Sequence, residues 1–260
     1  AAQLTGFCLA GMPRRLSVLP GPLNNSYRFL KPLLTSSATH MPGQFFIKTQ
    51  AQLLTQLGLV GIEVGKWLPR SPRSNQAIEC DSKAIQIGVL VSSGRELKRL
   101  DSERMAEIIS GLLALKGERD IEIVLVGGPG DLAMAQSILS FIDDQTVSKI
   151  RNTVGTYKLN ELTALLAQLS LFVGVDSGVT HMADAIGVPL VCIAGPVDLN
   201  EVYEPNGKRV LLGNTIACQP CSWVFDTPST CRLHHRNCLE QLKPDDIVNA
   251  ASHLLDQKND

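Results

Sequence analysis

The residues best equipped for chemistry lie in one run, Val175-Asp176-Ser177-Gly178-Val179-Thr180-His181-Met182-Ala183-Asp184-Ala185-Ile186-Gly187-Val188-Pro189. Asp176 and Ser177 close an apolar stretch, and Gly178 lets the backbone turn so that the unpaired amides of a following helix point outward. Together with the positive end of the helix dipole, those amides make an anion site suited to a pyrophosphate. His181 follows one turn on, either facing the same cleft or serving as a core histidine. Upstream, Ser92-Ser93-Gly94 offers small residues that can approach a phosphate, with Lys98 close by to neutralise it. Between them, Gly127-Gly128-Pro129-Gly130-Asp131 has two readings. It passes under a nucleotide and presents the Asp131 carboxylate to ribose hydroxyls, or it is a tight turn with Asp131 as helix cap.

Seven cysteines give a second candidate centre. Cys8, Cys80 and Cys192 are scattered where a small buried hydrophobe would serve as well. Cys218, Cys221, Cys231 and Cys238 instead share one segment at spacing C-x2-C-x9-C-x6-C, interleaved with Trp223, His234 and His235. Four thiolates can close a tetrahedral shell around zinc or iron. The alternative is a set of reduced thiols packing an irregular loop.

The elements that must carry these residues are legible from residue 84 onward, where short β-branched runs alternate with helical patterns, the mark of βαβ units. Strands are predicted at Ala84 to Val91, Ile121 to Val126, Ile150 to Val154, Leu171 to Val175 and Pro189 to Ile193. A helix follows Asp101 as N-cap, burying Met105, Ile108, Ile109, Leu112 and Leu113, with Gly117 as its stop. A second begins near Asp131 with Leu132, Ala135, Ile138 and Leu139 on one face, and a third is capped by Asn160, with Leu162, Leu165, Leu166 and Leu169 inward. Val179 to Ile186 ends at Gly187, and the last helix starts at Pro244 and runs through Ile247, Ala250, Ala251 and Leu254. The expectation is an α/β, Rossmann-like, doubly wound sheet of five or six parallel strands. Residues 1–75 differ, with Pro13, Pro20, Pro22, Pro32 and Pro42 breaking every element except a helical pattern from Phe45 to Leu59. They read as the remnant of a second α/β domain, joined through a Pro/Arg/Ser-rich linker from Leu68 to Ser82 to a domain over 76–260 that holds the Cys-rich segment 218–238.

Composition narrows the function classes. The 260 residues carry 24 basic and 25 acidic side chains, a formal net charge of −1, so no global field draws in a nucleic acid. No apolar run reaches the roughly 18–20 residues that cross a bilayer. Arg14 and Arg15 follow the first apolar stretch rather than precede it, which is the wrong order for a signal peptide, so a cytoplasmic location is expected. The missing initial methionine reads as processing or as the remainder of something longer. Lys66, Arg70 and Arg73, with Arg14 and Arg15, either meet anionic lipid or form an ordinary solvated linker.

The run DSGVTHMADAIGVPLVCIAGPVD resembles the signature of glycosyltransferase family 9, the ADP-heptose:lipopolysaccharide heptosyltransferases of GT-B fold. The segment CQPCSWVFDTPSTCRLHHRNCLEQLKPDDIV and the order of loop, lysine, glycine loop and DSG-x-x-H are similar to theirs, over roughly residues 84–256 with a fainter echo in 1–65. Two departures stand out: Arg99, Leu100 and Asp101 follow Lys98 where members commonly show tryptophan and proline, and Ser93-Gly94 stands where proline-glycine is usual. The resemblance implies inverting transfer of heptose or a related sugar from an ADP-sugar to a lipid-linked lipopolysaccharide core acceptor at the inner membrane face. It places Ser93, Gly94, Lys98, Gly127, Gly128, Asp131, Asp176, Ser177, Gly178 and His181 around the donor, with Lys98 and Asp176 supporting the leaving group. No metal is obligatory for that step, and the general base belongs to an amino-terminal loop with no counterpart in this chain. Two other readings compete with it: a nucleotide-sugar-binding or structural module without transferase activity, and a metal-dependent assembly surface built on the cysteines.

Overall fold

The structure is a computed structural model that describes residues 15–21, 31–59, 84–115, 120–204, 208–213 and 216–257. Cys8, Cys80, Arg14, Pro13, Pro22, Lys66, Arg70, Arg73, Gly117 and the Leu68 to Ser82 stretch lie outside these residues. Two compact units divide the chain. One gathers Ala1–Lys66 with Asp198–Asn206 and Pro220–Pro228, and the other holds Trp67–Val197, Gly207–Gln219 and Ser229–Asp260.

In the first unit, strands β1 (Leu16–Pro20) and β2 (Ser36–His40) pair in parallel, and helix α1 (Phe46–Thr55) follows. The prolines do not break these elements as expected. Pro20 is the last residue of β1 and Pro42 lies in the turn after β2, places where a missing N–H costs no ladder bond.

The second unit contains a six-stranded, fully parallel sheet in the order β5-β4-β3-β6-β7-β8. Its strands are β3 (Ile85–Leu90), β4 (Ile121–Val126), β5 (Ile150–Asn152), β6 (Leu171–Val175), β7 (Leu190–Ile193) and β8 (Arg209–Leu212). Residues such as Ile87, Val89, Val124, Leu125, Phe172 and Val191 are buried on both faces of the sheet, so the strands read as continuous apolar runs rather than alternating ones. Cys192 sits fully buried within β7 as a small hydrophobe. The sixth strand, β8, is the one that no apolar run announced.

Helices α2 (Ser102–Leu113), α3 (Leu132–Leu139), α4 (Asp144–Val147), α5 (Leu159–Leu166), α6 (Gly178–Ile186), α7 (Asn237–Glu240) and α8 (Pro244–Asp256) complete this unit. Asp101 caps α2, its Oδ1 accepting the Arg104 N–H at 2.8 Å, and Met105, Ile108, Ile109 and Leu112 are buried as the spacing requires. Gly111 in α2 permits close packing on α8, since a Cβ there would lie 2.7 Å from Val248 Cγ2. Two details depart from expectation. Leu132, the first residue of the short α3, stays 46% exposed while Ala135 and Ile138 anchor the helix. Helix α5 is capped at Lys158, whose N–H donates to Glu161 Oε2 at 2.9 Å, which leaves Asn160 inside the first turn.

Candidate functional site

The strand order fixes where a ligand site can form. From β3 the chain steps outward through β4 to β5, whereas from β6 it steps the other way through β7 to β8. Loops after β3 and β6 therefore diverge and open a crevice at the carboxyl ends of these two neighbours. Lys98 follows β3 and Asp176 follows β6. The fold brings together two residues 78 positions apart.

Lys98 occupies a three-residue 3-10 turn, Glu96–Lys98, reached through Ser92, Ser93 and Gly94. Its Nζ donates to Asp176 Oδ2 at 2.5 Å, and His181 Nε2 donates to Asp176 Oδ1 at 2.9 Å. Burial pushes the Asp176 carboxyl up, but the His181 hydrogen bond and the charge and hydrogen bond of Lys98 outweigh it and hold the group below its ordinary value. Asp176 is thus a buried, ionised hinge between two donors. His181 remains 38% exposed at its side chain, so its ring reaches solvent at the crevice.

Immediately after Asp176, Ser177 caps α6: its Oγ accepts the Thr180 N–H at 3.3 Å, and the two hydroxyls lie 3.0 Å apart. Thr180 in turn donates to the Val175 carbonyl at 2.6 Å, locking the strand end to the helix start. Gly174 is needed beneath this junction, because a Cβ would sit 3.0 Å from Thr180 Oγ1 and 3.1 Å from Leu90 Cβ. A Cβ on Gly178 or Gly94 would meet nothing within 4 Å, so both face open space at the crevice.

The remaining anticipated residues line the same sheet edge with more local duties. Gly127 tucks under the end of β3, where a Cβ would stand 2.8 Å from Val91 Cγ2. Asp131 Oδ2 accepts the Gly128 N–H at 2.8 Å, so its carboxylate closes its own loop. Ser93 is buried, with its Oγ accepting from the Arg95 N–H at 3.3 Å and its carbonyl from Arg99 Nε at 2.7 Å.

Among the described residues no group of three or more His, Cys, Asp or Glu side chains is placed together as a metal site, so Cys218, Cys221, Cys231 and Cys238 stand apart in this structure. Cys218, Cys221, Cys231 and Cys238 are free of disulfides; the Cys231 Sγ donates to the carbonyl of His235, and Cys238 is buried at the start of the α7 turn.

Two residues that the sequence left unmarked form a second carboxylate–histidine pair, in the first unit. Glu201 accepts the Gly43 N–H at 3.0 Å and the Val224 N–H at 2.7 Å, and its Oε1 lies 3.4 Å from His40 Nε2. His40 Nδ1 meets Thr49 Oγ1 at 3.0 Å, and its ring packs edge-on to Phe46 and tilted against Phe225. A recess bordered by Pro20, Pro42, Trp223 and Asp226 adjoins this pair.

Lipooligosaccharide heptosyltransferase 2 of Campylobacter jejuni is 28% identical over 162 residues, covering 61% of this chain and 47% of that protein. Lipopolysaccharide heptosyltransferase 3 of Escherichia coli is 27% identical over 172 residues, covering 62% and 48% respectively. The chain thus spans about half the length of the curated relatives it matches. The solved structure of E. coli ADP-heptose lipopolysaccharide heptosyltransferase II superposes with a TM-score of 0.72 at 18% identity, covering 100% of this chain and 75% of that one, which establishes a shared fold. Among the described residues no helix is long and apolar enough to cross a membrane. Residues 26–227 match the model of glycosyltransferase family 9 (heptosyltransferase), and the chain belongs to that family.

Proposed function

We propose that this chain supplies the donor-binding half of a glycosyltransferase that moves heptose, or a related sugar, from an ADP-sugar to a lipopolysaccharide core acceptor with inversion. The observation that carries the reading is the Lys98–Asp176–His181 constellation at the switch point of the sheet, beside the amides that open α6. ADP as the nucleotide is supported by family membership and by the name of the E. coli protein that shares the fold.

In the proposed reaction an acceptor hydroxyl, deprotonated by a base outside the residues assigned here, attacks the anomeric carbon from the face opposite the diphosphate. The carbon–oxygen bond to the diphosphate breaks, and its electron pair leaves with the phosphate oxygen. Lys98 and the first-turn amides of Gly178 and Val179 neutralise that charge, and they do so without reorganising because Asp176 already holds the ammonium in place. Asp176 also fixes the His181 ring at the crevice, where its outward edge can meet a donor oxygen. The lipid-linked acceptor implies that the protein works at the inner membrane face as a peripheral protein, with the cytoplasm as its compartment.

The test is thermal shift with ADP, an ADP-sugar, UDP and GDP on the chain and on Lys98→Ala and Asp176→Ala. A ligand present at a hundred times its Kd stabilises by about 2.7 kcal/mol, which for a domain of this size is a rise of about 5–10 °C. The expected result is a rise with the ADP compounds alone, lost in both variants. Absence of any rise with a nucleotide would overturn the reading.

A further inference from the structure

The Cys-rich segment reaches the candidate site through Arg236. The Arg236 guanidinium donates to the Arg99 carbonyl at 2.9 Å and to the Glu96 carbonyl at 3.4 Å. These two residues flank the turn that carries Lys98. That turn is a single 3-10 loop closed by Lys98 N–H to Arg95 O and Arg99 N–H to Glu96 O, each at 3.0 Å. Such short 3-10 turns have poorer hydrogen-bond geometry than an α-helix, so contacts from outside add to what fixes their shape. One side of the turn is supported by burial of Leu97 and Leu100, and a second brace comes from Arg99 Nε on the Ser93 carbonyl at 2.7 Å. Arg236 supplies the clamp across its two ends.

Arg236 is itself well fixed. Its carbonyl accepts the N–H groups of Leu239 at 2.7 Å and Glu240 at 2.8 Å, and Glu240 Oε1 lies 3.7 Å from Arg236 Nε. Arg104 ties the same stretch to α2 by donating to the Leu242 carbonyl at 2.5 Å. Just before it, His234 adopts the left-handed backbone at φ 53 and Cys231 holds the His235 carbonyl. Both bonds leave one terminal nitrogen, Nη1, while Nε of the same planar group faces Glu240, so the guanidinium plane is held from both ends as a flexible ammonium would not be.

We propose that Arg236 is a positioning residue for Lys98, so that the segment between Cys231 and Cys238 sets where the lysine ammonium stands relative to Asp176 and to an incoming diphosphate. This rests on the donor-site reading above for its ligand, but its effect on Lys98 and Asp176 can be read in the absence of any ligand.

The experiment compares Arg236→Ala, Arg236→Lys, Lys98→Ala and the double variant Lys98→Ala/Arg236→Ala. Two readouts are taken: the titration midpoint of the Asp176 carboxyl by carbon NMR without ligand, and the Kd for ADP by calorimetry. Loosening the turn weakens the Lys98 contact that opposes the effect of burial on Asp176, so Arg236→Ala should raise the midpoint and Arg236→Lys should raise it by less. The ADP Kd should rise about tenfold in Arg236→Ala, which corresponds to about 1.4 kcal/mol. Because Arg236 acts through Lys98, the double variant should bind ADP no more weakly than Lys98→Ala alone. An unchanged Asp176 midpoint in Arg236→Ala, or additive losses in the double variant, would overturn the proposal and leave Arg236 as a fastener of its own segment. Failure of the unmodified chain to bind ADP, with the Asp176 midpoint still moving in Arg236→Ala, would instead overturn the donor-site reading and leave the positioning of Lys98 standing.

Discussion

Two carboxylate–histidine pairs in this chain share chemistry but not surroundings. Glu201 and His40 are 1% and 3% exposed at their side chains, and the Glu201 oxygens are taken by the backbone amides of Gly43 and Val224. Asp176 is comparably buried at 8%, but its partners are the Lys98 ammonium and a His181 ring that is 38% exposed. The first pair ties loops together. The second gives its hydrogen bonds to two side-chain donors, the Lys98 ammonium and the His181 ring, at the mouth of a sheet crevice. A buried carboxylate that holds backbone serves the fold, and one that holds side-chain donors at a surface can pass them to a ligand.

That contrast predicts opposite responses to removal, and the largest effect belongs to Glu201. Glu201→Ala leaves the Gly43 and Val224 amides without their acceptor and strips His40 of its partner. Orphaned buried donors cost about 1–3 kcal/mol each. The loss should fall on one unit. Hydrogen exchange in β2 and α1 should accelerate by a hundredfold or more while the six-stranded sheet keeps its protection, and ADP binding should persist. Loss of ADP binding with protection of β2 and α1 intact would invert the comparison.

An intermediate effect is expected at Lys98. Hydrogen bonds to charged groups contribute about 1.5–3 kcal/mol, and Lys98→Met removes one along with its charge. In the unmodified chain the folded Asp176 carboxyl is held below its ordinary value, so its ionised form contributes stability that is complete above the unfolded value and fades as pH falls through the folded one. In Lys98→Met, burial is opposed by His181 alone and the folded value rises. The stability difference between the two proteins should therefore vanish once pH falls below the depressed Asp176 value of the unmodified chain and reach its full size above the raised value of the variant. Melting temperatures across that range check this, and a difference independent of pH would show that Lys98 acts by packing rather than by charge.

The legibility of the two regions differs for a physical reason. The strands β3, β4, β6 and β7 are buried on both faces and so announce themselves as apolar runs, and the α2 helix shows its periodicity and its Asp101 cap. Lys98, Asp176 and His181 were legible as residue types because they lie in the segments that follow strands recognisable as apolar runs. Their meeting required the strand order. Strands β1 and β2 escaped notice because prolines crowd their ends and β2, Ser-Ser-Ala-Thr-His, is largely polar. Glu201 and Arg236 were not legible at all. Their partners are backbone groups, the amides of Gly43 and Val224 and the carbonyls of Glu96 and Arg99, and a backbone partner leaves no mark in residue type. Nor does the sequence indicate that Asp198–Asn206 and Pro220–Pro228 belong with the amino-terminal unit.

The smallest effect on stability sharpens the comparison most. His181 touches the same carboxylate as Lys98, but its open side lets water replace the lost hydrogen bond, so His181→Asn should cost under about 1 kcal/mol, as exposed pairs do. His40→Asn should cost several times more, because its ring is enclosed by Phe46 and Phe225 and its Nδ1 is bonded to Thr49. ADP affinity should show the reverse order, falling in His181→Asn and holding in His40→Asn. Denaturant midpoints and calorimetric Kd values for the two variants measure both quantities on the same samples. If His181→Asn destabilised the fold as much as His40→Asn and left ADP affinity unchanged, the crevice pair would be a second structural tie, and its exposure would have to be explained by something other than ligand binding.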